Sequence, residues 1–351
     1  MRVALFSPAW FPVPPDRYGG IETVVHLLAD GLVDAGVEVT LFASGDSNSR
    51  AQLVAAFETA PSEHIGESYW ELQHLLPLLE RRDAFDLVHD HSGLLGLTTI
   101  GLNFGSTLHT VHGPLTGQLG RVYERVCALV PGAGLVSLTH NQRKPQPHLP
   151  WVANVNNAID LSRYPLERRP GDSLLFLGRM SPDKGAHLAI RIAKRVGRPL
   201  KIAAKCRQPD EIAYFDEFIA PHLDNQIEYV GEVDHNEKRV LLSEAHALVM
   251  PIAWEEPFGL VIIEALASGT PIVAMRRGSV PELLRHGHTA YIADDFAGMV
   301  AGVEQAAQLD PQRLRHEAER RFSVDTMVNS YLTAYETMTK LAPVVAVIAA
   351  A

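Results

Sequence analysis

Cysteine is scarce in this sequence: Cys127 and Cys206 are the only two in 351 residues, far apart and in no metal-ligand spacing. A disulfide framework is therefore not expected, and a reducing, cytoplasmic setting fits. Basic charge is in deficit as well, with 31 Lys and Arg against 41 Asp and Glu and a formal net charge of −10. That argues against the basic stripe of a nucleic-acid binder, and against more than peripheral attachment to an anionic membrane. No apolar run reaches about 18 residues, so no membrane span is expected. The first apolar stretch, Arg2 to Phe6, meets Pro8 too soon to serve as a signal peptide. The apolar tail, residues 344–351, reads as a frayed end or a weak docking segment. Gly-x-Gly-x-x-Gly is missing too, which counts against an ordinary dinucleotide site and a dehydrogenase. What remains is an ordinary globular composition, 46% hydrophobic and 21% charged, in a chain long enough for two domains.

The chain is organised around Glu256-Pro257-Phe258-Gly259-Leu260-Val261-Ile262-Ile263-Glu264. The apolar run Ala247 to Pro251 reads as a buried strand before it. Leu260 to Ala267 reads as a helix after it, ended by Gly269, and Pro271 opens the strand Ile272 to Ala274. Glu256 then sits in a loop at the carboxyl end of a strand, and Glu264 on the following helix. The first N–H groups of a helix have no internal partner and suit phosphate oxygens. Gly259, lacking Cβ, permits close approach. Carboxylates repel phosphate but accept from sugar hydroxyls. On periodicity alone, an ordinary strand–loop–helix unit with two solvated glutamates fits equally well.

The motif Glu-x-Phe-Gly-x-x-x-x-Glu, followed by Ala-x-Ala-x-Gly-x-Pro-Ile-Val in a segment that matches through Ala274, resembles the signature of retaining GT-B glycosyltransferases of family 4. The resemblance covers most of the chain, is strongest over residues 172–296 and is weaker over residues 44–150. It implies an α/β protein of GT-B type, two doubly wound Rossmann-like domains facing a central cleft. The expected division is an N-terminal acceptor-side domain over residues 1–165 and a nucleotide-sugar-binding domain over residues 172–322. A terminal helix, residues 324–340, is expected to cross back to the first domain. Arg168-Arg169-Pro170-Gly171 reads as the linker.

Further residues match the family segment by segment. After the strand Ser173 to Leu177, Gly178-Arg179-Met180-Ser181-Pro182-Asp183-Lys184-Gly185 precedes a helix from Ala186 to Val196. Arg179 and Lys184 alone could be two solvated cations, but they fit the family's Gly-Arg-x-x-x-x-Lys-Gly pattern, whose charges suit a diphosphate. Gly19-Gly20, before a helix from Glu22 to Gly36, could be a plain turn; it is similar to the family's phosphate-facing glycine loop, which singles out Gly20. Trp10 and Phe11, after the first strand, either pack on their own domain or line the acceptor side.

Thr110-Val111-His112-Gly113-Pro114 closes a strand, Ser106 to Val111, and resembles the segment whose histidine contacts the donor sugar. Alternation places His109 on the opposite face, in the core. His89-Asp90-His91 lacks further metal ligands and reads as hydrogen-bonded histidines at a sheet edge. Residues 50–80 read as helices and loops, Leu135 to Thr139 as a strand, and Asn141-Gln142-Arg143 as the start of a polar loop. Ile227 to Val233 is similar to the segment that meets the nucleobase, and Gly278 to Glu282 to the loop after the next strand. Two departures stand out. Ala158 replaces a glycine in the interdomain Asn-Gly-Val-Asp segment, and Lys205-Cys206-Arg207-Gln208-Pro209 replaces a Gly-x-Gly-Pro turn, where Lys205 could add a phosphate contact.

The resemblance implies catalytic roles for His112 and Glu256. It implies nucleotide and phosphate contacts for Gly20, Arg179, Lys184, Val233, Phe258, Gly259, Leu260 and Glu264, with Glu264 on the ribose. The implied reaction moves a sugar from a nucleotide diphosphate sugar, UDP favoured, to a hydroxyl acceptor of a saccharide, lipid or secondary metabolite, with retention. No Asp-x-Asp clamp is convincing, so neither metal nor cofactor is expected. A same-fold epimerase or phosphorylase and a non-catalytic nucleotide-sugar binder are the alternatives, and the oligomeric state is open.

Overall fold

The computed structural model describes residues 1–349, with side chains through Lys340. The chain divides into two compact units, Met1–Ala158 together with the chain from Val324, and Ile159–Ser323. Residues 350–351, the end of the apolar tail, lie outside the described residues.

The first unit is built on a parallel seven-stranded sheet. Its strands are β1 (Arg2–Phe6), β2 (Glu38–Phe42), β3 (Gln52–Val54), β4 (Leu87–Asp90), β5 (Thr107–Thr110), β6 (Ala133–Ser137) and β7 (Trp151–Asn154), in the order β3-β2-β1-β4-β5-β6-β7. The second unit carries a parallel six-stranded sheet of β8 (Leu174–Arg179), β9 (Leu200–Lys205), β10 (Ile227–Gly231), β11 (Leu248–Met250), β12 (Ile272–Met275) and β13 (Tyr291–Ala293), in the order β10-β9-β8-β11-β12-β13. Each sheet winds outward from its first strand and then continues on that strand's other side. Strands in such sheets are covered on both faces, so they read as unbroken apolar runs: Val3 to Phe6 and Leu174 to Phe176 are buried throughout.

The helix Val324–Ala349 belongs to the first unit, packing on β4, β5, β7 and the helix Gly20–Asp34. Tyr331 and Tyr335 on it are fully buried, and each satisfies its hydroxyl: Tyr335 against His89 Nδ1 at 2.7 Å, Tyr331 against Thr110 Oγ1 at 3.0 Å. The polar tip of a buried tyrosine needs such a partner.

Several elements differ from the sequence reading. Gln52–Val54 forms an edge strand within a segment read as helices and loops. Three residues are too few to show a period of two. Strand β6 begins and ends two residues early, because Thr139 caps a short helix, His140–Arg143, in place of the expected polar loop. Buried Gln142 on that helix donates to the carbonyls of Val111 and Gly113, both at 2.8 Å, and ties the turn after β5 in place. Strand β4 lies inside the sheet, so His89, Asp90 and His91 are not edge residues.

Candidate functional site

In an open α/β sheet, ligands bind where the winding reverses, beyond the carboxyl ends of the two strands at that point. In the second unit these are β8 and β11, which end at Arg179 and Met250. Their two loops are fastened together. Gly185, at φ +83°, stands where a Cβ would lie 2.4 Å from the Pro251 carbonyl oxygen, and Ala253 N–H donates to Asp183 O at 2.8 Å. The loop after β12 holds the same stretch from its other side. A Cβ on Gly278 would sit 2.2 Å from Glu256 N, so only glycine allows this approach. Gly278 N–H donates to Glu255 Oε2 at 2.9 Å and Ser279 N–H to Glu256 O at 2.8 Å. Ser279 Oγ donates to Phe258 O at 2.6 Å. Glu256 is therefore fixed by backbone on both sides.

The side chains form a cluster. Lys184 Nζ donates to Glu256 Oε2 and stands 4.6 Å above the Trp254 ring, while Trp254 Nε1 donates to the same oxygen at 3.1 Å. Arg179 is more open, 38% exposed, with Asp183 at 3.8 Å as its ion-pair partner. Gly259 caps the helix Leu260–Ala267 at φ +86°, and Leu260 is half-buried at its first position. Glu264, one turn further on, is buried and accepts from Tyr164 Oη at 2.8 Å and Lys238 Nζ at 2.5 Å. Burial, then the charge of Glu264, pushes the Tyr164 hydroxyl far above its ordinary range, so it stays a donor. Phe258 is buried, its ring 6.0 Å from that of Phe322, and Val233 is half-buried after β10.

Residues 165–321 match the family "Glycosyl transferases group 1", and residues 18–162 match "Glycosyltransferase Family 4". This chain is a family 4 glycosyltransferase. It is 27% identical to the glycogen synthase of Mycobacterium tuberculosis across 93% of this chain and 91% of the relative. A solved glycosyltransferase involved in avilamycin A biosynthesis superposes with a TM-score of 0.72 at 26% identity, covering 97% of this chain and 98% of that one. The Anabaena protein HepE, solved in complex with UDP and glucose, shares the fold, with a TM-score of 0.72 at 16% identity over 95% of this chain and 98% of HepE. The two sheets are those of the GT-B glycosyltransferases.

In the first unit of the glycosyltransferase, Gly20 is the opening residue of the helix Gly20–Asp34, after Gly19 at φ +149°. Glu22 in its first turn is buried, and burial pushes its carboxyl up to about 7. His112 lies two residues beyond β5, not directly after the strand as the sequence reading had it, because the strand stops at Thr110. Its Nε2 is 2.9 Å from Nδ1 of fully buried His91. Burial, then the neighbouring His109, pushes His112 down to about 3. His109 is buried on the other side, with Nδ1 2.6 Å from Asp90 Oδ2 and Nε2 3.1 Å from Tyr123 Oη on the helix Gly117–Leu129.

The structure thus gathers Arg179, Lys184, Glu256, Gly259, Leu260 and Glu264 at one switch point, with Val233 beyond β10 in the same unit, and leaves Gly20 and His112 in the other unit. Lys205 is turned into its own unit, buried and 3.6 Å from Glu211, which also accepts the N–H groups of Arg207 and Gln208. That removes it from the proposed phosphate set. Sequence reasoning missed Trp254, Tyr164, Lys238 and His91. Trp254 stood two residues from Glu256 and was a usable signal. Lys238 and Tyr164 come from 26 and 100 positions away from Glu264, and no local pattern joins them.

Proposed function

We propose that this glycosyltransferase moves a sugar from a nucleotide diphosphate sugar, UDP favoured, to a hydroxyl acceptor with retention at the anomeric carbon. The observation that carries the reading is the cluster at the β8–β11 switch point: two cations, a helix N-terminus and two buried carboxylates held within one set of interlocked loops. Arg179, Lys184 and the first N–H groups of the helix Leu260–Ala267 face the diphosphate and stabilise the charge that develops as it leaves. Glu264 takes the ribose hydroxyls, Glu256 grips the donor sugar, and His112 supplies a further contact to that sugar. Phe258, being buried, acts by shaping the loop. Gly20 contributes its helix N-terminus. The departing phosphate can accept the proton of the incoming hydroxyl, so the reaction requires no dedicated protein base, metal or cofactor.

Support for UDP comes from HepE, which holds UDP and glucose on the same fold, and support for a saccharide acceptor from glycogen synthase. A thermal-shift screen of UDP, GDP and ADP with and without EDTA tests the donor side. A nucleoside diphosphate at a hundredfold excess over its dissociation constant stabilises the protein by about 2.7 kcal/mol. Unchanged melting with every nucleotide would remove the assignment. Product analysis of UDP-sugars with water, phosphate and alcohols then separates transfer from hydrolysis, phosphorolysis and epimerisation.

A further inference from the structure

The fold treats the two oxygens of Glu256 differently. Oε2 accepts twice, from Lys184 Nζ and from Trp254 Nε1 at 3.1 Å. Oε1 accepts from no described residue, yet it is not sealed from solvent. Glu264 repeats the pattern. Tyr164 Oη and Lys238 Nζ both donate to its Oε1, and its Oε2 accepts from no described residue. In each carboxylate a lysine and an aromatic side chain hold one oxygen, and the other is left to accept from a ligand. Trp254 also touches the second partner of the pair, since Lys184 Nζ stands 4.6 Å above its ring. The residue is fixed by its own loop: Glu256 N–H donates to Trp254 O at 3.1 Å, and Ala253 N–H to Asp183 O at 2.8 Å.

We propose that Trp254 is a positioning residue for the transfer: its N–H keeps hold of Glu256 Oε2 while Lys184 passes from that oxygen to the diphosphate, which leaves Oε1 to the donor sugar. The proposal rests on the reading of Lys184 and Glu256 as donor-site residues and adds how they change partners. A diphosphate carries more negative charge than one carboxylate, so the ammonium is drawn to it when it arrives. Glu256 is buried, and a buried carboxylate that loses its cation needs another donor. The indole N–H is that donor, and a loop rather than the ligand holds it in place. The ring face serves Lys184 in both positions. Attraction between an ammonium and an indole extends to about 6 Å from the ring centroid and needs no particular N–H direction, so Nζ can turn while it stays over the ring. Relieved of the lysine, Glu256 meets the sugar hydroxyl with its full charge and is the stronger acceptor. A side chain that locks both members of a site in this way keeps the site's geometry through the exchange.

Proton–nitrogen-15 spectra of the whole protein resolve four indoles, Trp10, Trp70, Trp151 and Trp254, and Trp254→Phe assigns the last of them. A hydrogen bond to a carboxylate moves an indole proton downfield. The Trp254 proton should therefore lie downfield of its position in Glu256→Ala, and it should stay there when UDP is added. By calorimetry, Trp254→Phe should bind UDP within about twofold of wild type, because an aromatic face remains under Lys184, and Trp254→Leu about three- to fivefold more weakly. Release of UDP from UDP-glucose should fall about tenfold in Trp254→Phe, the scale of one hydrogen bond to a charged group, and no further when the same change is made in Glu256→Ala. A Trp254 proton that moves to its Glu256→Ala position on adding UDP overturns the proposal, since the indole then lets go together with the lysine. Equal losses of UDP affinity and turnover in Trp254→Phe overturn it too, as the mark of a ring that only packs, and so does a full tenfold loss in the Glu256→Ala background. A protein that binds no nucleotide, with the Trp254 proton downfield as expected, defeats the transfer reading while the contact stands.

Discussion

His91 Nδ1 and His112 Nε2 lie 2.9 Å apart, and both rings are held neutral by burial. Two neutral imidazoles share one proton across such a contact. His91 Nε2 is buried without a partner among the described residues. If His112 donated, that nitrogen would be an orphaned N–H, whereas if His91 donates it is only an unused lone pair. Orphaned N–H groups are the rarer of the two in proteins. His91 is therefore the donor, and His112 presents its remaining proton on Nδ1.

His112→Ala should cut turnover by about a hundredfold, the scale for one well-placed polar group, and leave UDP affinity close to wild type. His91→Phe should lower turnover in the same direction, and His91→Gln, whose amide can still donate, should recover part of it. Nitrogen-15 spectra of the histidines report the tautomer directly. A proton on His112 Nε2 in the wild type would contradict the order of donation given above.

Arg179→Ala should weaken UDP binding by roughly 1.5–3 kcal/mol while sparing uridine, since a charge-assisted contact to phosphate is lost. Lys184→Ala should do the same and also leave the Glu256 carboxylate with only Trp254 as a donor, which lowers stability. Glu256→Gln frees Lys184 for the diphosphate, so UDP affinity should hold or rise while turnover falls. Calorimetry with UDP and uridine on the three variants checks this; a Glu256→Gln protein with weakened UDP binding would mean that the Lys184–Glu256 pair itself builds the phosphate site.

Glu264→Ala should weaken uridine and UDP by similar factors, because the ribose is common to both. Tyr164→Phe removes a hydrogen bond to a charged group and should cost about 1.5–3 kcal/mol of stability in urea titrations. Should Glu264→Ala affect UDP alone, the carboxylate would belong to the phosphate end of the ligand.

Glu22 gives a pH-dependent term. Its carboxyl rises from 4.5 to about 7 on folding, so the native state holds more protons than the unfolded chain across that window. Stability from this residue is complete below pH 4.5 and is lost as pH rises through 7, by about 3 kcal/mol at 1.36 kcal/mol per unit. Glu22→Gln should lack that decline. Parallel urea curves for both proteins from pH 4.5 to 8 would show that the acid is not buried in solution.

The sequence by itself determined the doubly wound α/β class and most of the second unit. The strand–loop–helix segments around Arg179, Lys184 and Glu256–Glu264 announce themselves because apolar runs, glycines and caps are local signals, close together along the chain. The helix Ala186–Val196 was legible to the residue for that reason. Only the tertiary structure decided what those side chains touch. Lys184 meets Glu256 across 72 positions, Tyr164 meets Glu264 across 100, and His91 meets His112 across 21. The first and the third exist because parallel strands bring the carboxyl ends of distant segments side by side, while Tyr164 reaches a helix from the segment before β8, and strand order is set by how whole helices and sheets bury their apolar faces. No local pattern carries that information. The same physics turned Lys205 inward and carried β4 and its histidines into the middle of the sheet.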